Sequence, residues 1–297
     1  MHSLAVVIPT FNRKTYLRTL LDQLLRQEGS DFRLSVVVVV DGSTDGTDEL
    51  LRTEFPAVHV VPGTGQWWFT RCVNEGIRFA RQHLSVDQIL VMNDDSELDT
   101  SYVSTLLRCY REAGPRSVLG SLSVTRDAPA RVTFSGNPRT LRWLMKQDPY
   151  VPFMTPYRPA QFTGLHPTQT LNGRGMLLPV AVLDEIGLFD ERRFPQYGSD
   201  DDMALRAVTA GIPTYVAWEA VVYDHTGMTS AGTVYLRPPL KTFLKSFFNP
   251  YSVNSLTKTF HFYRKHGLPL LWPVGFALSL VATVRAYAWK YRRQQPN

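Results

Sequence analysis

The chain has 297 residues, 44% of them hydrophobic and 20% charged, with a formal net charge of +6. That is enough chain for a full core and too apolar a composition for disorder. Its two cysteines, Cys72 and Cys109, have no CxxC spacing, which excludes a disulfide framework or a cysteine zinc site and fits reduced thiols in a cytoplasmic protein.

The N-terminus runs directly into an apolar strand, Leu4 to Ile8, ended by Pro9, with no basic leader or cleavage site before it. Lys14 to Gln27 carries leucines at 17, 20, 21, 24 and 25, the stripe of an amphipathic helix. Ser35 to Val40 is a serine followed by five valines, as expected of a central parallel strand buried on both faces. A short helix over Asp45 to Thr53, a strand over Val58 to Val61, a helix through Asn74 to Gln82 and a strand over Gln88 to Met92 follow. This alternation predicts an α/β fold with a doubly wound, mostly parallel sheet, in which ligands meet the carboxyl ends of the strands.

The next clear start is a helix near Thr100. Pro129 to Gln169 is irregular and rich in Pro, Arg, Tyr and Phe, a long segment of the kind that carries function. Met176 to Pro179 reads as a strand, Val180 to Ile186 and Asp200 to Ala210 as helices, and Thr214 to Trp218 and Val221 to Tyr223 as strands. From Pro238 the pattern is helical and aromatic. We divide the chain into residues 1–235, with halves 1–97 and 98–235, and a tail over 236–297.

The tail is unlike the body. From His225 to Asn297 there are ten Lys and Arg and no Asp or Glu, so the tail carries +10. Residues 1–224 hold 22 basic against 26 acidic groups, or −4. Aromatic and leucine residues interleaved with the charges favour an anionic membrane surface over nucleic acid. Leu268 to Val284 is 17 uncharged residues containing Pro269 and Pro273, at the lower limit for a span. It is expected to lie in or dip into one leaflet.

Four constellations follow strands or open helices. Pro9-Thr10-Phe11-Asn12-Arg13 presents small polar groups and amides suited to a nucleotide, or is an ordinary strand–helix turn. In Asp41-Gly42-Ser43-Thr44-Asp45-Gly46, Asp41 can accept hydrogen bonds from a base or ribose and Gly42 permits close approach, while Asp45 can cap the next helix. Asn93-Asp94-Asp95 places adjacent carboxylates at a strand end, where they repel unless a cation such as Mg²⁺ or Mn²⁺ relieves them. Asp200-Asp201-Asp202 opens a helix with more acid than the dipole requires, and one of them can take a proton from an incoming hydroxyl.

VVIPTFNR, VVVVVDGSTDGT, VMNDDSELD and GSDDDMALRA, in that order, resemble the family 2 glycosyltransferases of GT-A fold over residues 3 to 225. The resemblance implies an inverting, metal-dependent enzyme that moves a sugar from a nucleotide-diphosphate sugar to an acceptor hydroxyl. It assigns the donor pocket to Pro9, Thr10, Asn12, Arg13, Asp41, Gly42, Trp67, Trp68, Asn74, Asn93 and Asp94. Asn93 stands where the family's metal motif begins with aspartate, which moves the metal onto Asp95 with Asp94 in support, and His225 matches a further ligand of some members. Alignment on Arg206 favours Asp200 as base and leaves Asp201 open.

The pair Trp67-Trp68 resembles a branch similar to rhamnosyltransferases of bacterial surface polysaccharides. One of the two is expected against donor or acceptor and one in the core. Gly173 and Arg174 fall on the acceptor-side strand. The implied acceptor is a lipid-linked or oligosaccharide glycan at the cytoplasmic face of a bacterial membrane. A sugar nucleotidyltransferase is the first rival, but it would carry a Gly-rich basic phosphate loop that residues 9–13 lack. A non-catalytic membrane-associated binding protein is the second, and it has no need of paired acids.

Overall fold

A computed structural model describes residues 1–225 and 238–293, with side chains to Trp289. The boundary near 235 and the basic side chains of Arg237, Lys290, Arg292 and Arg293 lie outside the described residues.

The first half follows the sequence pattern closely. Strand β1 (His2–Thr10) leads into α1 (Lys14–Leu25), β2 (Phe32–Val40), α2 (Thr47–Glu54), β3 (His59–Pro62), α3 (Trp68–His83) and β4 (Gln88–Val91). These four strands are parallel and lie in the order β3-β2-β1-β4. The order reverses between β1 and β4, so the crevice opens at their carboxyl ends, after Thr10 and Val91.

The second half extends the same sheet with mixed directions. A short β5 (Ser96–Leu98) precedes α4 (Tyr102–Ala113), and β6 (Val118–Thr125) is buried along its whole length. The long 129–169 segment is not structureless: it holds β7 (Arg131–Phe134), a hairpin of β8 (Arg139–Leu141) and β9 (Lys146–Asp148), then β10 (Thr155–Pro156) and β11 (Leu165–Pro167). Then β12 (Met176–Pro179), α5 (Val180–Ile186), α6 (Ser199–Thr209) and β13 (Thr214–Asp224) complete the body. The two strands expected over 214–223 are this one strand, bulged between Ala217 and Val221. The longest ladders, β1–β2 and β6–β13, are parallel, and the antiparallel pairings are short.

Alternate side chains of the buried strands feed two cores. Leu4, Val6 and Ile8 meet the leucine stripe of α1 and the inner face of α4. Ala5, Val7 and Val37 meet Val73 and Ile77 of α3, and the same core continues to Met203 and Ala207 of α6. Burying each such leucine or isoleucine contributes about 2 kcal/mol before entropy is subtracted.

Three further helices, α7 (Leu240–Phe248), α8 (Leu256–His266) and α9 (Trp272–Arg293), complete the described chain. Among the described residues no helix is long and apolar enough to cross a membrane. α8 packs on α6, on α7 and on α9. Asp202 of α6 lies at 0% exposure and is held by His266 at 2.7 Å, Lys265 at 2.7 Å and Arg206 at 2.9 Å. The tail is therefore clamped to the helix that opens with the three acids.

Candidate active site

A cleft of about 420 Å³ lies at the β1/β4 reversal, lined among others by Pro9, Thr10, Arg13, Asp41, Trp68, Asn93, Asp94, Asp95 and Arg174. Its floor is acidic. Asp94 accepts from Thr10 Oγ1 at 2.8 Å, and Arg13 Nη1 lies 3.0 Å from Asp94 and 2.9 Å from Asp95. Burial pushes the Asp94 carboxyl up to about 6, against the pull of Arg13 and with a further push from Asp95.

Asp41 lines the cleft, but its carboxylate is already engaged. It accepts from the backbone N–H of Gly65 at 2.7 Å, Trp67 at 2.9 Å and Trp68 at 3.0 Å. These bonds fold the glycine-rich loop around the cleft that Asp41 lines. A Cβ on Gly63 would lie 2.6 Å from Asp41 Oδ1, so only glycine passes that point. The fold places Trp68 in the left-handed region at φ 58°, unusual for a bulky side chain. The residue is 42% exposed, and its ring stacks on Tyr251 with centroids 3.9 Å apart. Trp67 instead lies beneath the Arg71 guanidinium, 5.1 Å from its ring centroid.

Several expected donor contacts are structural. Asn74 is 1% exposed and spans α3 and the 189–191 loop, donating to the Phe189 carbonyl at 2.9 Å and accepting from its N–H at 3.1 Å. It faces away from the cleft because the helix begins at Trp68, which turns position 74 toward the core. Asn12 accepts from Thr44 N–H at 2.7 Å and Gly42 packs on Gly65, so both tie loops together around the cleft.

His225 is not placed as a metal ligand. Its Nε2 sits 2.8 Å from Glu97 Oε1 and its ring packs edge-on against Tyr16. The ladder that sets Tyr223 opposite Glu97 brings that carboxylate to the histidine. Among the described residues no three His, Cys, Asp or Glu side chains gather closely enough to hold a metal by themselves. The remaining donors nonetheless suit a hard cation: Asn93 Oδ1 and Asp95 Oδ1 are buried oxygens without a hydrogen-bond partner among the described residues. A divalent ion shared with a donor's phosphates needs only part of its shell from protein.

The second acidic set is linked to the first through Gly173 and Arg174. Asp200 accepts from the N–H of Gly173 at 3.1 Å and of Asp201 at 3.0 Å. The next residue, Arg174, bonds Asp224 at 2.7 Å and lines the cleft with Asp94 and Asp95. A Cβ on Gly173 would come 2.8 Å from Phe69 Cζ, so a larger residue there would displace that ring of α3. Asp224 was missed in the sequence because it ends an unremarkable strand, yet it is 1% exposed and anchors Arg174. Burial raises both Asp200 and Asp201. Asp201 is pushed up further by the Asp200 charge, and it accepts from Gln147 Nε2 at 3.1 Å. The two amides on Asp200 favour its charged form and partly offset the cost of burial.

A nucleotide-sized cleft at the switch of a Rossmann-like sheet, floored by acids, with a second carboxylate pair tied to its wall through Gly173 and Arg174, is the GT-A arrangement. Residues 5–186 match the model for Glycosyl transferase family 2, and the chain belongs to that family: it is a glycosyltransferase. It is 25% identical over 235 residues to the N-acetylglucosaminyl-diphospho-decaprenol L-rhamnosyltransferase of Mycobacterium tuberculosis, covering 75% of this chain and 76% of that one. S. aureus TarS 1-349 superposes with a TM-score of 0.53 at 16% identity, over 99% of this chain and 92% of that one. The mannosyltransferase PcManGT of Pyrobaculum calidifontis, solved with GDP-Man and Mn2+, gives 0.54 at 17% identity, over 97% and 86%.

Proposed function

We propose that this glycosyltransferase moves a sugar, rhamnose or a related deoxyhexose, from a nucleotide-diphosphate donor to a hydroxyl of a lipid-linked glycan, with inversion, at the cytoplasmic face of a bacterial membrane. One observation carries the mechanism. The Gly173 N–H donates to the Asp200 carboxylate and the next residue, Arg174, lines the cleft with Asp94 and Asp95, which supports a base held within one residue of the donor site. The kinship to a rhamnosyltransferase whose named acceptor is a diphospho-decaprenol glycan supports the choice of substrates.

In this reading Thr10, Arg13, Asp41 and Trp68 shape the nucleotide-sugar pocket. Asp95, with Asp94 and the Asn93 amide oxygen, would hold Mg²⁺ or Mn²⁺, which supplies charge neutralisation to the departing diphosphate. Arg13 and Arg174 bring their own positive charge to the same cleft. Asp200 takes the acceptor's proton as the acceptor oxygen bonds the anomeric carbon. The bond from that carbon to the diphosphate breaks on the opposite face, and the nucleoside diphosphate leaves.

The test is transfer by Asp200→Asn beside Asp201→Asn. Asp200→Asn should lose on the order of 10²–10⁴ in turnover while keeping donor binding and melting temperature. Near-normal turnover in that variant would reject Asp200 as base.

A further inference from the structure

We propose that Lys258, carried by α8, is the positioning countercharge of the Asp200–Asp201 pair, so that the C-terminal helices complete the catalytic machinery as well as covering it. The proposal rests on Asp200 being the base.

The geometry begins at Gly198, the left-handed residue at φ 85° that caps α6 immediately before the acids. A Cβ there would lie 3.8 Å from Lys258 Cδ, so the lysine stem runs across the opening of that helix. Ser255 Oγ caps α8 by accepting from the Lys258 N–H at 3.3 Å, which fixes where the side chain departs. About two turns further on, α8 is locked to α6 through Lys265 and His266 on Asp202. The ammonium donates to the Val253 carbonyl and makes no direct ion pair with either acid, yet its charge acts on both.

That withheld distance suits a base. A cation bonded to Asp200 would occupy the lone pair that must receive the proton. A cation held back by a carbonyl favours the ionised pair and leaves the oxygen free.

The other charges facing the pair are spoken for. Arg174, from the loop before β12, also favours the charged form of Asp200, but its guanidinium is bonded to Asp224 at 2.7 Å. Asp202, on α6 itself, is compensated by Arg206, Lys265 and His266. Gln147 from β9 offers Asp201 an uncharged amide. Burial lowers the Lys258 pKa and the two aspartates pull it back up, as expected of a partly desolvated cation with anionic neighbours.

The experiment is the pH profile of kcat/KM for Lys258→Gln and Lys258→Arg, with nucleotide-diphosphate binding and thermal melting as controls. For Lys258→Gln the acid limb should move up by about one pH unit, giving roughly tenfold lower kcat/KM near pH 6.5 and convergence with wild type at higher pH. Lys258→Arg should keep the wild-type limb. A uniform loss at every pH, or an unmoved limb, overturns the proposal.

If Lys258→Gln melts early, the Asp200→Asn background decides. Lys258→Gln should there change the residual rate less than about twofold, since a countercharge acts only through the charge it serves. A further large loss in that background overturns the proposal. Full turnover by Asp200→Asn alone would overturn the base assignment instead, and so separates the two failures.

Discussion

Asp202 shows how one acid of a run of three takes a different role. It sits between Arg206, Lys265 and His266 at 0% exposure. Burial opposes its charge, but hydrogen bonds from His266 and Lys265 and the Arg206 charge outweigh it and hold the carboxyl at about 2. A depressed carboxylate contributes stability above its unfolded value of 3.8, and that contribution disappears as pH falls toward 2. Asp202→Asn should therefore cost about 3 kcal/mol at pH 7, because Arg206 and the buried His266 lose the carboxylate they share. The gap to wild type should close between pH 4 and 2. Denaturant melts across that range check it, and a gap independent of pH would refute the ionic reading. The sequence could not separate the three aspartates: capping, proton transfer and clamping all place an acid at a helix start. The residues that distinguish them, Gly173, Gln147 and His266, come from elsewhere in the chain. His225 and Asn74 misled for the same reason, since their partners Glu97 and Phe189 lie 128 and 115 residues away.

At the scale of elements, the βα repeat through residue 92 was legible because valine-rich strands and leucine stripes carry clear periods. β6 was not. Gly120, Ser121 and Ser123 interrupt its apolar run, yet the strand is central and fully buried. Each interruption has a packing cause, Ser123 by accepting from the Asn172 amide at 3.1 Å. Leu171 stands 2.3 Å from where a Gly120 Cβ would be, and Ser121 Oγ bonds Tyr102 and the Gly175 carbonyl. Gly175 ends the loop that presents Gly173 and Arg174, at φ 77°, with Ser121 Oγ 2.4 Å and Tyr102 Oη 2.5 Å from its Cβ position. Gly175→Ala should cost about 1–3 kcal/mol and lower turnover by shifting both neighbours. Gly187→Ala is the control: φ is similar at 78°, but nothing lies within 4 Å. It should cost only about 1 kcal/mol of backbone strain and leave turnover unchanged. Equal effects from the two substitutions would mean that strain, rather than the crowded loop, governs the site.

At the scale of the molecule, the C-terminal helices face two ways. Inward, they reach the cleft through Tyr251 on Trp68 and the acids through Lys258 and Asp202. Outward, they leave apolar stripes bare. On α7 these are Leu240, Leu244 and Phe248, four residues apart, and on α9 Val274, Leu278 and Val281, with Leu270 90% exposed just before it. Lys241 and Lys245 flank the first stripe, and no acid occurs from His225 to the end of the chain. An apolar ridge edged with cations matches the boundary of an anionic bilayer, which would set the cleft beside a lipid-linked acceptor. Deleting the helices would be a poor test, since it would also remove the clamp on α6. Substitution of exposed positions alone separates the functions. Phe248→Glu, Leu270→Glu and Leu278→Glu together should weaken sedimentation with anionic vesicles at least about tenfold, because each loses apolar burial and adds repulsion. Transfer to a short, water-soluble acceptor should be unchanged, while transfer to a vesicle-embedded acceptor falls with binding. Raising salt should weaken, without abolishing, wild-type binding, since the apolar contribution is not screened. A triple variant that sediments like wild type would show that the bare stripes serve something other than a membrane.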